Sequence, residues 1–122
     1  MSSETYHEPL ELLSDETKNM HRAIVSLMEE LEAIDWYHQR VVATSDESLA
    51  AVLAYNRDDE KEHAAMALEW LRRRDEKLDT QLRKFLFTSG PIPQVGEEAS
   101  EGTSASTTSG SLGIGSLKGV AQ

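Results

Sequence analysis

Three residues of this sequence are best suited to chemistry: one glutamate, and a second glutamate that is followed three residues later by a histidine. They are Glu30 and the pair Glu60 and His63. In four-helix carboxylate proteins, a di-iron site takes a Glu from each of two helices and a Glu-x-x-His from each of two more. The sequence carries one copy of each element, which is half of that ligand set. We therefore predict that two copies of the chain complete the site across a two-fold axis.

Two long helices must position these side chains. From about residue 10 to residue 43 the sequence is rich in helix formers and has no glycine. Ser45 or Asp46 then caps a second helix, which is expected from about Glu47 past Trp70. The pattern predicts an all-α fold built on an antiparallel two-helix hairpin.

A shorter C-terminal helix is expected after the charged junction at residues 72–75, and it should end before Gly90 and Pro91. Its apolar positions are Leu78, Leu82, Phe85 and Leu86. The sequence leaves open whether this segment continues the second helix. Two hairpins would pair to make a four-helix bundle.

The hairpin geometry places the two glutamates at the same height. Residues equidistant from the turn of an antiparallel pair lie level, and Glu30 and Glu60 are each 15 residues from Ser45. The helical rise puts both about 22 Å from the loop. His63 lies one turn beyond Glu60 on the same face.

Hydrophobic spacing places these residues on inward faces, where an unpaired carboxylate is costly. The two facing stripes are Ala23, Leu27, Glu30, Ile34, Tyr37 and Val41 on the first helix, and Leu53, Asn56, Glu60, His63, Ala67 and Trp70 on the second. A further row with inward spacing on the first helix is Met20, Ile24, Leu27, Leu31, Ile34 and Val41, with His38 in its gap. Two carboxylates interrupt apolar faces at the same height, which indicates that one structural feature accounts for both.

A metal site is one explanation, and a buried Glu to His hydrogen bond within a helical dimer is the alternative. On the metal hypothesis, the two-fold site holds four carboxylates and two neutral imidazoles, which two divalent ions would neutralise. Because the chain has no cysteine, the ligands are oxygen and imidazole nitrogen. This set favours iron, manganese or zinc over a sulfur-bound cluster.

Acidic and aromatic side chains flank the proposed site. Glu29, Glu32 and Asp35 lie on adjoining faces and, with Trp36, are candidates to guide cations inward; ordinary solvated carboxylates are the alternative. Tyr37 is either a core aromatic or a hydrogen-bond donor beside the ligands.

Composition restricts the class of partner. The net charge of −10 argues against nucleic acid, and the longest apolar run, residues 49–55, is too short to cross a bilayer. The N-terminus lacks a secretory leader pattern. We expect a soluble cytoplasmic protein whose small core, without cysteine, is stabilised by a metal or a partner subunit.

The last quarter of the chain differs from the rest. Residues 1–95 are expected to form the helical domain, and residues 96–110 a flexible linker of Gly, Ser, Thr, Ala and Glu. Residues 111–122 then restore three aliphatic side chains, Leu112, Ile114 and Leu117, at the end of a solvated tail.

With these residues identified, the chain resembles the encapsulated ferritins, the two-helix ferritin-like cargo proteins of bacterial encapsulin compartments. The similarity covers nearly all of residues 7–92, and the terminal segment from Ser111 to Gly119 resembles an encapsulin-targeting peptide. The matching segments are HEPLE at 7–11, HRAIVS at 21–26, MEELEA at 28–33, DWY at 35–37, NRD at 56–58, EKEHAAM at 60–66 and LEWLRR at 68–73.

The resemblance implies a ferroxidase whose iron ligands are Glu30, Glu60 and His63, with Tyr37 beside them. It further implies metal-access residues at Glu29, Glu32 and Trp36, with calcium as a candidate ion at these carboxylates, and a ring of five dimers. Leu112, Ile114 and Leu117 would dock on the shell, which provides iron storage in the bacterial cytoplasm.

Two other functions remain open from the sequence. One is a helical oligomer that binds or buffers metal without turnover, and oxygen consumption on adding Fe(II) separates it from a ferroxidase. The other is a helical adaptor whose tail recruits a partner, and it predicts no metal dependence.

Overall fold

The computed structural model describes residues 5–97, and this part of the chain is helical without strands. A 3-10 turn at Leu10–Leu12 precedes three helices: α1 at Asp15–Ala43, α2 at Glu47–Arg74 and α3 at Glu76–Phe85. Residues 92–97 are also helical. The predicted all-α hairpin with a short C-terminal helix is confirmed. No helix in the described residues is both long and apolar enough to cross a membrane.

The first helix begins later than the sequence predicted. Ser14, in extended conformation, is the N-cap of α1, and its hydroxyl accepts a hydrogen bond from the Thr17 N–H at 3.1 Å. Asp15 and Glu16 follow in the first turn, where negative charge suits the helix dipole. Residues 10–12 form a separate 3-10 turn, because the hydrogen bonding of α1 begins only at the Ser14 cap.

The loop between the long helices contains three residues, and Asp46 rather than Ser45 caps α2. The Asp46 Oδ1 accepts a hydrogen bond from the Leu49 N–H at 2.9 Å. This short link makes α1 and α2 antiparallel neighbours, and they are packed along their length. The cap therefore fixes where the second helix starts, and with it the height of Glu60.

Asp75 separates α2 from α3. Its backbone is extended, with φ −126° and ψ 101°, and its carboxylate accepts a hydrogen bond from the Leu78 N–H at 3.0 Å. The same residue thus ends one helix and caps the next. The third segment is a separate helix, which settles a point that the sequence left open.

The packing between α1 and α2 confirms the facing stripes but not the additional row on α1. Every member of the two facing stripes is half-buried, and the buried residues in the described part include Ala64 and Leu71 on α2. Ile24 and Leu31, predicted to point inward, are 45% and 54% exposed. One neighbouring helix covers only one face of α1, so the flank that carries these residues stays open in a single chain.

Beyond Leu78 the chain forms a second compact unit. The chain leaves α3 through Phe87, whose φ of 61° is unusual for a bulky residue, and turns again at Gly90, with φ 92°. Gly96 is buried against the Phe85 ring, where a Cβ would collide. The predicted linker start at residue 96 is therefore too early, because ordered helix includes residues 96 and 97. Residues 98–110 of that linker and the predicted tail at 111–122 lie outside the described residues.

Candidate metal centre

The hairpin brings together the three residues predicted as ligands. Glu30 comes from the middle of α1, and Glu60 and His63 come from successive turns of α2. One potential ligand atom from each lies within 4.8 Å of the others. This is the arrangement that the equal distances from the loop predicted, and it forms across two helices rather than within one.

The His63 ring presents Nδ1 to both glutamates. This nitrogen lies 2.9 Å from Glu60 Oε1 and 3.7 Å from Glu30 Oε1. The first contact is a hydrogen bond, and the second is an ion-pair distance. Nδ1 is therefore the nitrogen that faces the space between the carboxylates.

Asp59, which was not among the predicted site residues, faces the other side of the same ring. Its Oδ2 lies 3.8 Å from His63 Nε2. The signal was present, because residues four apart are neighbours on a helix surface. Asp59 lies outside the predicted inward stripe, however, so periodicity gave it no role.

The cluster is only partly covered in a single chain. The exposed fractions of the side chains are 28% for Glu30, 23% for Glu60 and 42% for His63. Water or another molecule can therefore reach the three ligand atoms from one side. Three ligand atoms would fill about half of the positions of an octahedral ion.

Burial and the neighbouring Glu60 raise the pKa of Glu30 above its ordinary value. Partial burial is the largest cause, followed by a hydrogen bond shared with Glu60 and by the Glu60 charge, while His63 acts in the opposite direction. The pKa of His63 is also raised, first by its hydrogen bond to Glu60 and further by the charges of Glu30, Asp59 and Glu60 against a lowering by desolvation. Both groups therefore hold a proton more firmly than the same groups do in water.

The donor set fits a divalent ion of the first transition series. Two carboxylates and one imidazole are oxygen and nitrogen donors that iron, manganese and zinc accept. In the described residues, the three form a group of convergent ligand atoms.

The other predicted site residues lie close in sequence to Glu30. Tyr37 is half-buried, and the Arg40 guanidinium lies 5.4 Å from its ring centre. Trp36 is 52% exposed, and Glu29 and Glu32 are exposed. Within the described part of a single chain, Glu29 and Glu32 belong to no group of three convergent ligands. Their proposed role in metal access stays a prediction.

A separate polar contact joins the helices on the loop side of the cluster. Arg57 Nη1 lies 3.0 Å from His38 Nδ1, and Arg57 also pairs with the carboxylate of Asp58. Arg57, with Lys61, holds the pKa of Asp58 well below its usual range, at about 2. The Asp58 carboxylate thus pairs with two cationic side chains, whereas the Asp59 carboxylate faces His63.

Glu62 and Lys61 occupy the outer face of α2. Both are exposed, and Lys61 pairs with Asp58 at 3.0 Å. Although Glu62 is only two residues from Glu60, it points away from the cluster because two residues rotate the helix by about 200°.

Comparison with known proteins places this geometry in a family context. The family model described as EncFtn-like matches residues 5–89 of the chain. An encapsulated ferritin-like protein of Rhodospirillum rubrum is 58% identical over an alignment that covers 98% of this chain and 92% of that protein. A ferritin-like protein of Thermotoga maritima is 50% identical over 94% of this chain and 99% of its own length.

The fold also has a close counterpart among solved structures. The crystal structure of protein ne0167 from Nitrosomonas europaea superposes with a TM-score of 0.70 at 62% sequence identity. The match covers 71% of this chain and 96% of that one.

Proposed function

The chain belongs to the EncFtn-like family, and from this membership and its Glu30, Glu60 and His63 cluster we propose that it is a ferroxidase, oxidising Fe(II) to Fe(III). The observation that carries the proposal is the convergence of these three ligand atoms within 4.8 Å. They come from two helices at the height that the hairpin turn dictates.

The proposed site is completed by a second copy of the chain. A carboxylate di-iron site in a four-helix bundle uses six side chains, and one chain supplies three. The open side of the cluster adjoins apolar surface on α2, because Val52, Tyr55 and Met66 follow the helical spacing of His63. These three are 56%, 74% and 59% exposed. A partner helix packed there would bury this surface and bring the second set of ligands to the first.

Charge balance favours two ions in such a site. Four carboxylates repel one another when they face across a two-fold axis, and two Fe(II) ions neutralise them. Oxygen and imidazole donors bind both Fe(II) and Fe(III). Iron is here the substrate: each Fe(II) gives up one electron, and the two electrons of a filled site match the reduction of O2 with two protons to hydrogen peroxide.

The side chains of this protein hold and release protons as the substrate enters. Glu30 and His63, whose pKa values are raised without metal, must lose their protons before Nδ1 and the carboxylate oxygens bind Fe(II). Tyr37 stands beside the site as a hydrogen-bond donor. Glu29, Glu32 and Trp36 form an access route for cations at the dimer interface, and calcium can occupy the same carboxylates.

The proposed partner of the assembled protein is an encapsulin shell. One relative is named an encapsulated protein, and the terminal Leu112, Ile114 and Leu117 supply the apolar docking segment. We place the protein inside an encapsulin compartment of the bacterial cytoplasm, as a ring of five dimers that delivers Fe(III) for storage.

Oxygen consumption after addition of Fe(II) tests this function. The wild type is expected to consume oxygen in proportion to the iron added, whereas Glu30→Ala, Glu60→Ala and His63→Ala each lose most of the rate because each removes two ligands from a two-fold site. Glu62→Ala, which removes a charge from the exposed face, is the matched control and should keep the rate. Iron binding without oxygen consumption would instead identify a metal-buffering oligomer.

A further inference from the structure

The two ring nitrogens of His63 face different carboxylates. Nδ1 points at Glu60 and Glu30, at 2.9 and 3.7 Å, and Nε2 lies 3.8 Å from Asp59 Oδ2. The ring is therefore flanked on both sides, although the proposed function uses only the Nδ1 side.

An imidazole that binds a metal through one nitrogen keeps its proton on the other. In metal sites that remaining N–H is usually donated to a carboxylate or carbonyl, which fixes both the tautomer and the plane of the ring. Here a metal ion at Nδ1 would leave the proton on Nε2, facing Asp59. An ionised carboxylate has only acceptor atoms, so it can accept a hydrogen bond from this N–H while the proton stays on Nε2.

We propose that Asp59 is a positioning residue for the metal centre, holding the Nε2–H of His63 so that the Nδ1 lone pair points between Glu30 and Glu60. This inference rests on the proposed function. The present separation is about 1 Å longer than an N–H to O hydrogen bond. The Asp59 side chain is 50% exposed, and this freedom lets the contact close by side-chain rotation when the ring is fixed by an ion.

Asp58 provides a matched control for Asp59. The two residues are adjacent on α2 and their side chains are similarly exposed, at 56% and 50%. The Asp58 carboxylate pairs with Arg57 and Lys61, at 2.9 and 3.0 Å. If only the negative charge mattered, removal of either carboxylate would weaken metal binding. If the position of the His63 ring matters, only removal of the Asp59 carboxylate would weaken it.

Calorimetric titration of the full-length, metal-free protein with Zn²⁺, which does not turn over, tests the proposal. Loss of an outer hydrogen bond typically costs 10- to 100-fold in affinity. We expect about that loss for Asp59→Ala, a smaller one for the isosteric Asp59→Asn, whose amide oxygen still accepts a hydrogen bond, and less than about threefold for Asp58→Ala. The visible absorption spectrum of bound Co²⁺, which reports ligand orientation, should change in Asp59→Ala and remain unchanged in Asp58→Ala.

Glu60→Ala separates failure of this inference from failure of the site. If Glu60→Ala abolishes zinc binding while Asp59→Ala and Asp58→Ala weaken it equally or not at all, the positioning role is overturned and the site stands. If Glu60→Ala leaves zinc binding intact, the proposed site itself is wrong and the positioning role is overturned with it.

Discussion

Glu30 and Glu60 share one histidine, and this sharing explains the chemistry of the centre at the scale of single residues. A carboxylate pair next to a hydrogen-bonded imidazole holds protons more firmly than isolated groups do, as the raised pKa values of Glu30 and His63 show. At the proposed metal site, Fe(II) would compete with protons for the same ligand atoms.

The raised pKa values predict how the metal-free protein responds to pH. The pKa of folded Glu30 lies above its ordinary 4.5 and that of His63 above 6.5. For both, the folded state holds its proton more tightly than the unfolded state. Their stabilising contributions are therefore fully present below those ordinary values and are lost as pH rises through the raised folded values. In chelator, Glu30→Gln should become more stable relative to wild type as pH increases from about 4.5.

Thermal unfolding across pH, at one protein concentration, measures this trend. Glu62→Gln removes the same charge from the outer face and serves as the control. A constant difference between wild type and Glu30→Gln across the range would show that the Glu30 carboxyl carries no excess affinity for protons.

Much of the centre could be predicted from sequence because helix geometry is regular. The positions of Glu30, Glu60 and His63 follow from rise per residue, loop position and facing stripes. Asp59 could not be found this way, since its contact with His63 depends on side-chain rotamers on a flank that periodicity assigns to solvent. Spacing of four residues permits such a contact without requiring it.

At the scale of the helices, the N-cap residues determine where each helix begins. Asp46 sets the first turn of α2 and therefore the height of Glu60 relative to Glu30. Ser14 plays the same part for α1, where the sequence prediction was several residues too early. Helix formers alone did not reveal that start, because residues 10–12 also favour helix and only the hydrogen bond to Thr17 marks the boundary.

Loss of the Asp46 cap is expected to destabilise the protein. Asp46→Ala leaves the Leu49 N–H without its acceptor, at a cost of about 1 kcal/mol, or a fall in Tm of roughly 4–8 °C. Ser45→Ala, one residue away, should change stability by less than about 0.5 kcal/mol. Thermal unfolding at equal protein concentration compares the two variants. A larger loss of stability in Ser45→Ala than in Asp46→Ala would show that Ser45, and not Asp46, caps α2.

At the scale of the whole molecule, a single chain leaves too much apolar surface exposed. Ile24 and Leu31 on α1, and Val52, Tyr55 and Met66 on α2, are all more than two-fifths exposed. Sequence periodicity predicted an inward position for Ile24 and Leu31, which a single chain leaves exposed, and it does not say which chain would supply a covering helix. The proposed second copy would cover these flanks and complete the proposed ligand set.

The terminal segment is expected to act independently of this assembly. Burial of Leu112, Ile114 and Leu117 at about 25 cal/mol per Å² gives weak binding for one copy, whereas several tails on one ring bind a multivalent shell more tightly. Deletion of residues 111–122 should leave ferroxidase activity intact and abolish co-purification with an encapsulin shell. Loss of activity, or shell loading that persists without the segment, would assign the tail another role.

Anaerobic titration with Fe(II), with the mass of the assembly followed in parallel, tests the two-fold centre most directly. We predict a break at about one tightly bound Fe(II) per chain, hence two per dimer. Oligomers should form or tighten over the same range, because the ion binds the assembled form. Glu30→Ala and Glu60→Ala should lose the break, and Glu62→Ala should keep it. A break that persists in Glu60→Ala, or tight binding to a chain that remains monomeric, would contradict a centre shared between two copies.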